Sequence, residues 1–132
     1  MDGFDFVHQE SVRFRDLDAM GHVNNAVYMT YMEAARIAYL ESLGAGHHPL
    51  QWLILARAEV DFRSPIGPGE QVEVGVRTSR IGRKSFDLEQ EVRADGRLAA
   101  EGRFVLVAYD YETASSRELP PEWRGLLEGV PA

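Results

Sequence analysis

An α+β fold, with a five-stranded antiparallel sheet wrapped around one long central helix, is what this 132-residue chain predicts. Two patterns carry that expectation. From Ala26 to Leu43 apolar residues recur at helical spacing, as Tyr28, Tyr31, Met32, Ala35, Ala38 and Tyr39, with a second stripe of Val27, Ile37, Leu40 and Leu43. A helix apolar around most of its circumference is buried or wrapped by other elements. From Trp52 to Tyr109 the pattern changes to alternation in four runs separated by short turns, and short connections favour antiparallel neighbours.

Local chemistry explains where each element starts and stops. Residues 1–8 read as a loose arm, and Gln9–Arg15 as a first strand with Val12 and Phe14 on one face. Asn24 and Asn25 are both fit to cap the helix, because their side-chain oxygens accept from the free N–H groups of a first turn. Gly44 ends it, since glycine adopts the left-handed C-terminal conformation at little cost. The second strand puts Trp52, Ile54, Ala56, Ala58, Val60 and Phe62 on one face and Arg57, Glu59 and Asp61 on the other. Ser64-Pro65-Ile66-Gly67-Pro68-Gly69 is a turn cluster. Val72, Val74 and Val76 mark the third strand, and Phe86, Leu88 and Val92 the fourth, after a bend at Arg80–Lys84. Asp95-Gly96 is a hairpin signal. Leu98–Tyr109 turns apolar on both faces, as a central strand does. Two prolines followed by Trp123, Leu126 and Leu127 suggest a short terminal helix within Glu118–Gly129.

Composition narrows the function classes. The length suits one domain spanning 1–132. A net charge of −7 argues against nucleic acid or an anionic membrane as partner, while leaving room for a small anion at a local basic patch. Without cysteine there is no disulfide framework, thiolate metal site or cysteine nucleophile. The N-terminus reads as no signal peptide, and no run approaches the roughly 20 apolar residues of a membrane span. A cytoplasmic protein is the expectation.

Chemistry concentrates in Asp16-Leu17-Asp18-Ala19-Met20-Gly21-His22-Val23-Asn24-Asn25, immediately before the helix. This D-L-D-A-M-G-H-V-N-N-A-V-Y string, with M-E-A-A-R following, resembles the hotdog-fold acyl-CoA thioesterases of the 4-hydroxybenzoyl-CoA thioesterase type. It also resembles the D-x-D…H-V-N-N-x-x-Y stretch of acyl-carrier-protein thioesterases. The resemblance extends from Val12 to about Tyr109. It implies a hotdog fold and hydrolysis of an acyl-CoA thioester with no cofactor. It puts the catalytic carboxylate on Asp18, the oxyanion donor on the backbone N–H near Asn25, and the CoA-binding cations in the Arg80–Ser85 turn, with Arg80, Arg83, Lys84 and Ser85. It further implies a homodimer or homotetramer with sites at the subunit boundary. His22-Val23-Asn24-Asn25 stands where the 4-hydroxybenzoyl branch has apolar and aromatic residues, which favours a fatty or branched acyl group.

The reaction explains why these residue types belong together. Thioester hydrolysis needs a nucleophile or base beside the carbonyl carbon and donors for the oxyanion, and a helix N-terminus supplies free N–H groups and a favourable dipole. Asp18 fits either as nucleophile or as base, and as a turn cap if it has no catalytic role. His22 is read as orienting substrate or water, or as closing the turn. Asn24 and Asn25 hold water or carbonyl, or cap the helix. Asp16 and Gly21 are read as turn residues. Glu33 and Arg36, three apart on an apolar helix, are expected to form an ion pair. Arg80, Arg83 and Lys84 form either a solvated turn or a phosphate site, with Arg63 a weaker candidate of that kind. Adjacent His47 and His48 seldom reach one ion, so no metal is expected. The alternatives to an acyl-CoA thioesterase are a non-enzymatic acyl-CoA-binding or sensing module and a thioesterase acting on acyl carrier protein; enoyl-CoA hydration lacks its paired Asp and His.

Overall fold

The computed structural model describes Met1, residues 3–44 and residues 52–129; His47 and His48 lie outside the described residues. The chain runs β1 (Phe6–Ser11), a 3-10 turn (Phe14–Asp16), α1 (Asn25–Ser42), β2 (Leu53–Phe62), β3 (Gln71–Ile81), β4 (Ser85–Ala94), β5 (Arg97–Asp110), β6 (Ser115–Ser116) and α2 (Pro121–Leu127). The sheet is antiparallel in the order β1-β3-β4-β5-β2, with the two-residue β6 paired to β5. The long helix on its curled sheet is the hotdog fold. Among the described residues no helix is long and apolar enough to cross a membrane.

Several expectations need correcting. The sheet has a sixth, very short strand, formed where the chain turns back at Tyr111–Ala114. The first strand starts earlier, at Phe6, and ends at Ser11; Phe14 sits in the 3-10 turn and points into solvent. The third correction concerns β2. A bulge between Leu55 and Arg57 inserts a residue opposite β5, and an extra residue shifts the side-chain phase beyond it. Leu53 and Leu55 pair with Ala108 and Leu106, while Ala58, Val60 and Phe62 pair with Phe104, Gly102 and Ala100. All five therefore share the helix-facing side, and Ile54 joins Arg57, Glu59 and Asp61 on the other. Simple alternation through Ala56 hides that shift. At the far end, α2 covers only Pro121–Leu127 of the expected Glu118–Gly129 segment.

The core is the meeting of one face of α1 with the inner face of the sheet. Tyr28, Tyr31, Met32, Ala35, Tyr39 and Leu40 of α1 pack with Val72, Val74, Val76, Phe86, Leu88, Val92 and Phe104, all buried. Each large side chain removed from water contributes about 1.5–3 kcal/mol. The helix lies over β1, β3 and β4. Beyond them, β2 is left as an edge strand whose Ile54, Leu55 and Phe62 are exposed. The opposite edge is β1, only six residues long, where Gln9 donates to Glu73 and His8 pairs with Glu10.

The expected Glu33–Arg36 ion pair is absent from the ion pairs among the described residues. Arg36 is buried and donates from Nη1 to Gln90 Oε1 at 3.2 Å, with its guanidinium 4.4 Å over the ring of Phe104. Glu33 sits on the exposed side of the helix.

At Gly102, in β5, an added Cβ would lie 2.7 Å from the carbonyl oxygen of Glu59 on β2. That neighbour is backbone and cannot swing away. Gly102→Ala is expected to lower stability by about 1–3 kcal/mol, the usual range for overpacking, read as a lower urea midpoint. A wild-type midpoint would show that β2 and β5 are not held this close in solution.

Candidate active site

The turn before α1 is built by its own side chains. Asp18 Oδ1 accepts from the N–H of Met20 at 2.9 Å and of His22 at 3.3 Å. The Asp18 N–H donates to the His22 carbonyl at 2.7 Å, and the Gly21 N–H donates to the Asp18 carbonyl at 3.0 Å. Gly21 takes a φ of +79°, a conformation that costs glycine little. The turn thus closes through the backbone of His22, and its imidazole is exposed, with no hydrogen bond among the described residues. Asp18 Oδ2 also accepts no hydrogen bond among the described residues. One oxygen of the carboxylate shapes the loop and the other takes no part in it.

Helix α1 begins beside it. Asn24 caps the helix, its Oδ1 accepting from the Ala26 N–H at 2.8 Å. Its carboxamide is thereby committed to capping, the second of the two roles expected for it. The Asn25 N–H, one of the first-turn donors no helix can satisfy internally, has no partner among the described residues. Asp18, His22 and Asn25 line one open cavity of about 300 Å³, together with Val23, Tyr28, Phe62, Arg63, Ser64 and Pro65. Tyr28 donates to the Ser64 carbonyl at 3.0 Å and meets Phe62 edge-on at 5.3 Å between ring centroids. Burial raises its pKa above the ordinary tyrosine value, so the phenol stays a neutral donor. Tyr28, Phe62 and Ser64 escaped the sequence reading as site residues. Tyr28 looked like core, and the turn cluster after Phe62 gave no sign that it folds back against the helix start. Two facts hold it there: the Val23 N–H donates to the Ile66 carbonyl at 2.8 Å, and Ile66 is buried.

The cations divide differently from expectation. Arg63 borders the cavity and pairs with Glu101 and Asp61. Arg80 Nη2 binds Ser85 Oγ at 2.9 Å and the buried carboxylate of Asp87 at 3.0 Å. Arg83 pairs with Glu118 at 2.9 Å, and Lys84 reaches Ser116 Oγ at 3.5 Å. That turn lies at the other end of the sheet: Ser85 is opposite Val107 on β5, whereas Phe62 is opposite Ala100. Seven residues of strand separate the two ends, about 23 Å. One chain therefore does not bring Arg80, Arg83, Lys84 or Ser85 to Asp18.

Asp16 anchors the whole loop. Its Oδ2 accepts from the Tyr31 hydroxyl at 2.7 Å and the Arg13 N–H at 2.9 Å, and its carbonyl accepts from Asn24 N–H at 2.9 Å. Burial alone would raise its pKa. The Arg13 amide, the Tyr31 hydroxyl and the charges of Arg13 and Arg15 outweigh it, and the net shift is downward. Tyr31 moves the opposite way, through burial and then the neighbouring carboxylate.

The turn at the start of the hotdog helix thus brings Asp18, His22 and Asn25 to one cavity. Residues 12–127 match the thioesterase-like superfamily, and the chain belongs to it. It is a thioester hydrolase. A thioesterase from Thermus thermophilus, solved in complex with coenzyme A and Zn, superposes with a TM-score of 0.89 at 43% identity, covering 100% of both chains. Among curated relatives, the long-chain acyl-CoA thioesterase FadM of Escherichia coli is 26% identical over 129 residues, 91% of this chain and 95% of that protein. A 1,4-dihydroxy-2-naphthoyl-CoA hydrolase of Nostoc punctiforme is 28% identical over 125 residues, 89% of this chain and 82% of the relative.

The Asp16–Tyr31 bond makes a prediction about acid stability. A carboxylate whose folded pKa is depressed adds stability above its unfolded value near 3.8, and loses it as pH falls through the folded value. Tyr31→Phe removes one donor from this buried carboxylate, at about 1.5–3 kcal/mol. The melting temperature of the variant should lie below wild type at pH 7, and the gap should narrow below pH 4. A constant gap across pH would mean the lost stability was packing and not this hydrogen bond.

Proposed function

We propose that this enzyme hydrolyses acyl-CoA thioesters to the free acid and CoA, with Asp18 as the catalytic carboxylate and the Asn25 N–H as oxyanion donor. The observation that carries the reading is the pairing of an uncommitted carboxylate oxygen with an uncommitted helix N–H on one cavity. A thioester carbonyl placed there presents its oxygen to Asn25. Asp18 then either takes a proton from the attacking water or attacks the carbonyl carbon itself. Both routes pass through a tetrahedral oxyanion that forms only after binding, so a fixed donor lowers the barrier, by about 3 kcal/mol for a typical oxyanion-hole contact. The bond to sulfur breaks and CoA leaves as its thiol. His22 borders the same cavity, and Tyr28 holds its wall through Ser64.

The acyl chain runs along the seam between α1 and β2, over Val60, Ala58 and Leu55. That seam is open on one side, because the helix leaves β2 uncovered. A second copy pairing its β2 antiparallel to this one covers it, and the two-fold axis carries the partner's far end, with its Arg80–Ser85 turn, toward this Asp18. The CoA phosphates then meet Arg63 of one chain and the cations of the other. The apolar seam is of a kind that suits the acyl chain named for the long-chain acyl-CoA relative.

Two measurements bear on this. Asp18→Asn retains the Oδ1 that closes the turn and removes the charge; kcat should fall about 10²-fold or more while the melting temperature barely moves, as expected for loss of a general base. Near-normal turnover would remove Asp18 from the mechanism. Light scattering at micromolar concentration should give at least a dimer, and a monomer would leave the apolar edge of β2 and the far-end cations without this explanation.

A further inference from the structure

The open edge of β2 restricts how a second copy can pair with it. Ala56 has no partner on β5, because the bulge falls between Leu55 and Arg57. A residue that is extra toward one neighbour is extra toward a strand on the other side as well. Leu53, Leu55, Ala58, Val60 and Phe62 face the helix, and Ile54, Arg57, Glu59 and Asp61 face away. Residues directly opposite each other in a sheet share a face. From Arg57 to Phe62 the alternation is regular, so a two-fold axis between two antiparallel copies must fall on a residue and not between residues.

Charge selects the residue. An axis on Arg57 sets two guanidiniums opposite each other, and one on Glu59 or Asp61 sets two carboxylates opposite each other. An axis on Val60 opposes Glu59 to Asp61 and Arg57 to Arg63. Like charges directly opposite are destabilising. Centring near either end of the strand leaves most of it unpaired. An axis on Ala58 does none of this. Arg57 then faces the partner's Glu59, twice by symmetry. Because Arg57 and Glu59 also pair within a chain, the four charges alternate around the axis. Further out, Ala56 drops out of the ladder on each strand. Leu55 meets the partner's Val60, Ile54 the partner's Asp61, and Leu53 the partner's Phe62. The first and last residues of β2 come opposite each other, so its whole length is used.

Phe62 lines the active-site cavity and is 46% exposed in the single chain. The carbonyl of Leu53 accepts from the Tyr111 hydroxyl at 2.7 Å, and the Tyr111 ring is itself exposed. We propose that two copies join along β2 with the two-fold axis on Ala58, and that the partner's Leu53–Tyr111 corner forms the outer wall of this chain's active-site cavity; this rests on the β2 dimer proposed above.

The chain has no cysteine, so an introduced one reports its own position. Residues facing each other across the axis stand about 4.5–5.5 Å apart between Cα atoms, within disulfide range, whereas a residue one step off the axis lies about 8 Å from its own copy, outside it. Under mild oxidation Ala58→Cys should form a covalent dimer on a non-reducing gel at least about tenfold faster than Arg57→Cys, Glu59→Cys or Val60→Cys. Fastest linkage at another position overturns the register while the dimer stands. A wild type that is monomeric by light scattering removes the dimer, and the inference with it.

Charge reversal gives a second reading that needs no disulfide. Arg57→Glu and Glu59→Arg should each raise the dimer Kd about tenfold or more, because each turns two favourable pairs into like charges. Mixed in equal amounts, the two variants restore opposite charges across the interface, and the dimer should return. Neither residue lines the cavity. Acyl-CoA turnover should therefore be low where the single variants are monomeric and should recover on mixing, because the partner supplies the wall. Full turnover by the monomeric variants overturns the shared site, and no return of the dimer on mixing overturns the register. The gel and the dimer mass read the register whether or not the thioester is hydrolysed.

Discussion

The hydrogen bond from Tyr31 to Asp16 is the constraint on which the site depends. Asp16 sits where the chain leaves the 3-10 turn, and Tyr31 stands on the core face of α1, a turn and a half into the helix. Their bond ties the approach loop to the rigid helix. The Asp16 carbonyl then receives Asn24 N–H, which sets the helix start. Between those two fixed points only seven residues remain, and Asp18 closes them on itself. A carboxylate in an exposed loop would ordinarily sample many positions. Here its placement relative to the first-turn N–H groups is inherited from the hydrophobic core through one buried tyrosine. Preorganisation of that kind is what oxyanion stabilisation requires, since donors that must first be arranged contribute less.

Much of this was legible in the chain. The helix could be read to within two residues at either end because its start, at Asn24, and its stop, near Gly44, carry residues with strong conformational preferences, and its interior repeats a clear period. The turn with Asp18, His22 and Asn25 was legible for a related reason: it is contiguous, and its three residues line one cavity. What escaped was non-contiguous. Phe62, Ser64 and Pro65 reach the site through the Val23–Ile66 and Tyr28–Ser64 bonds and the burial of Ile66, and no local pattern announces a bond between residues 43 positions apart. The phase change in β2 escaped because a bulge is a property of the pairing, and Ala56 is equally compatible with either face. The fate of Arg36 was misjudged on spacing. Three residues on a helix bring two side chains to neighbouring positions, but the guanidinium turns to Gln90 and Phe104 of the sheet instead of pairing with Glu33.

The polar groups buried beneath the helix follow one logic. Gln90 bridges Met32 and Arg36, Tyr39 shares a hydrogen bond with Thr78, and Tyr31 holds Asp16. Each joins α1 to a different part of the chain: β4, β3 and the approach loop. Hydrophobic packing alone would allow a helix to slide or rotate on a sheet of valines, phenylalanines and leucines with modest loss. Four hydrogen bonds with fixed partners remove that freedom, because displacement would leave a buried donor or acceptor unpaired. The register of the helix on the sheet, and hence the position of its first turn, is specified by polar contacts within an apolar core.

The two edges of the sheet have unequal fates. The β2 edge is ten residues long, carries exposed Ile54, Leu55 and Phe62, and is kinked by its bulge. The β1 edge is short and dressed with His8, Gln9 and Glu10. An assembly that joins β2 to β1 of the next copy would repeat without limit and grow into a fibre. An assembly that joins β2 to β2 uses the same surface twice and is finished after two chains. Because the longer, more apolar edge is β2, the proposed β2-to-β2 pairing uses up the surface that would otherwise propagate.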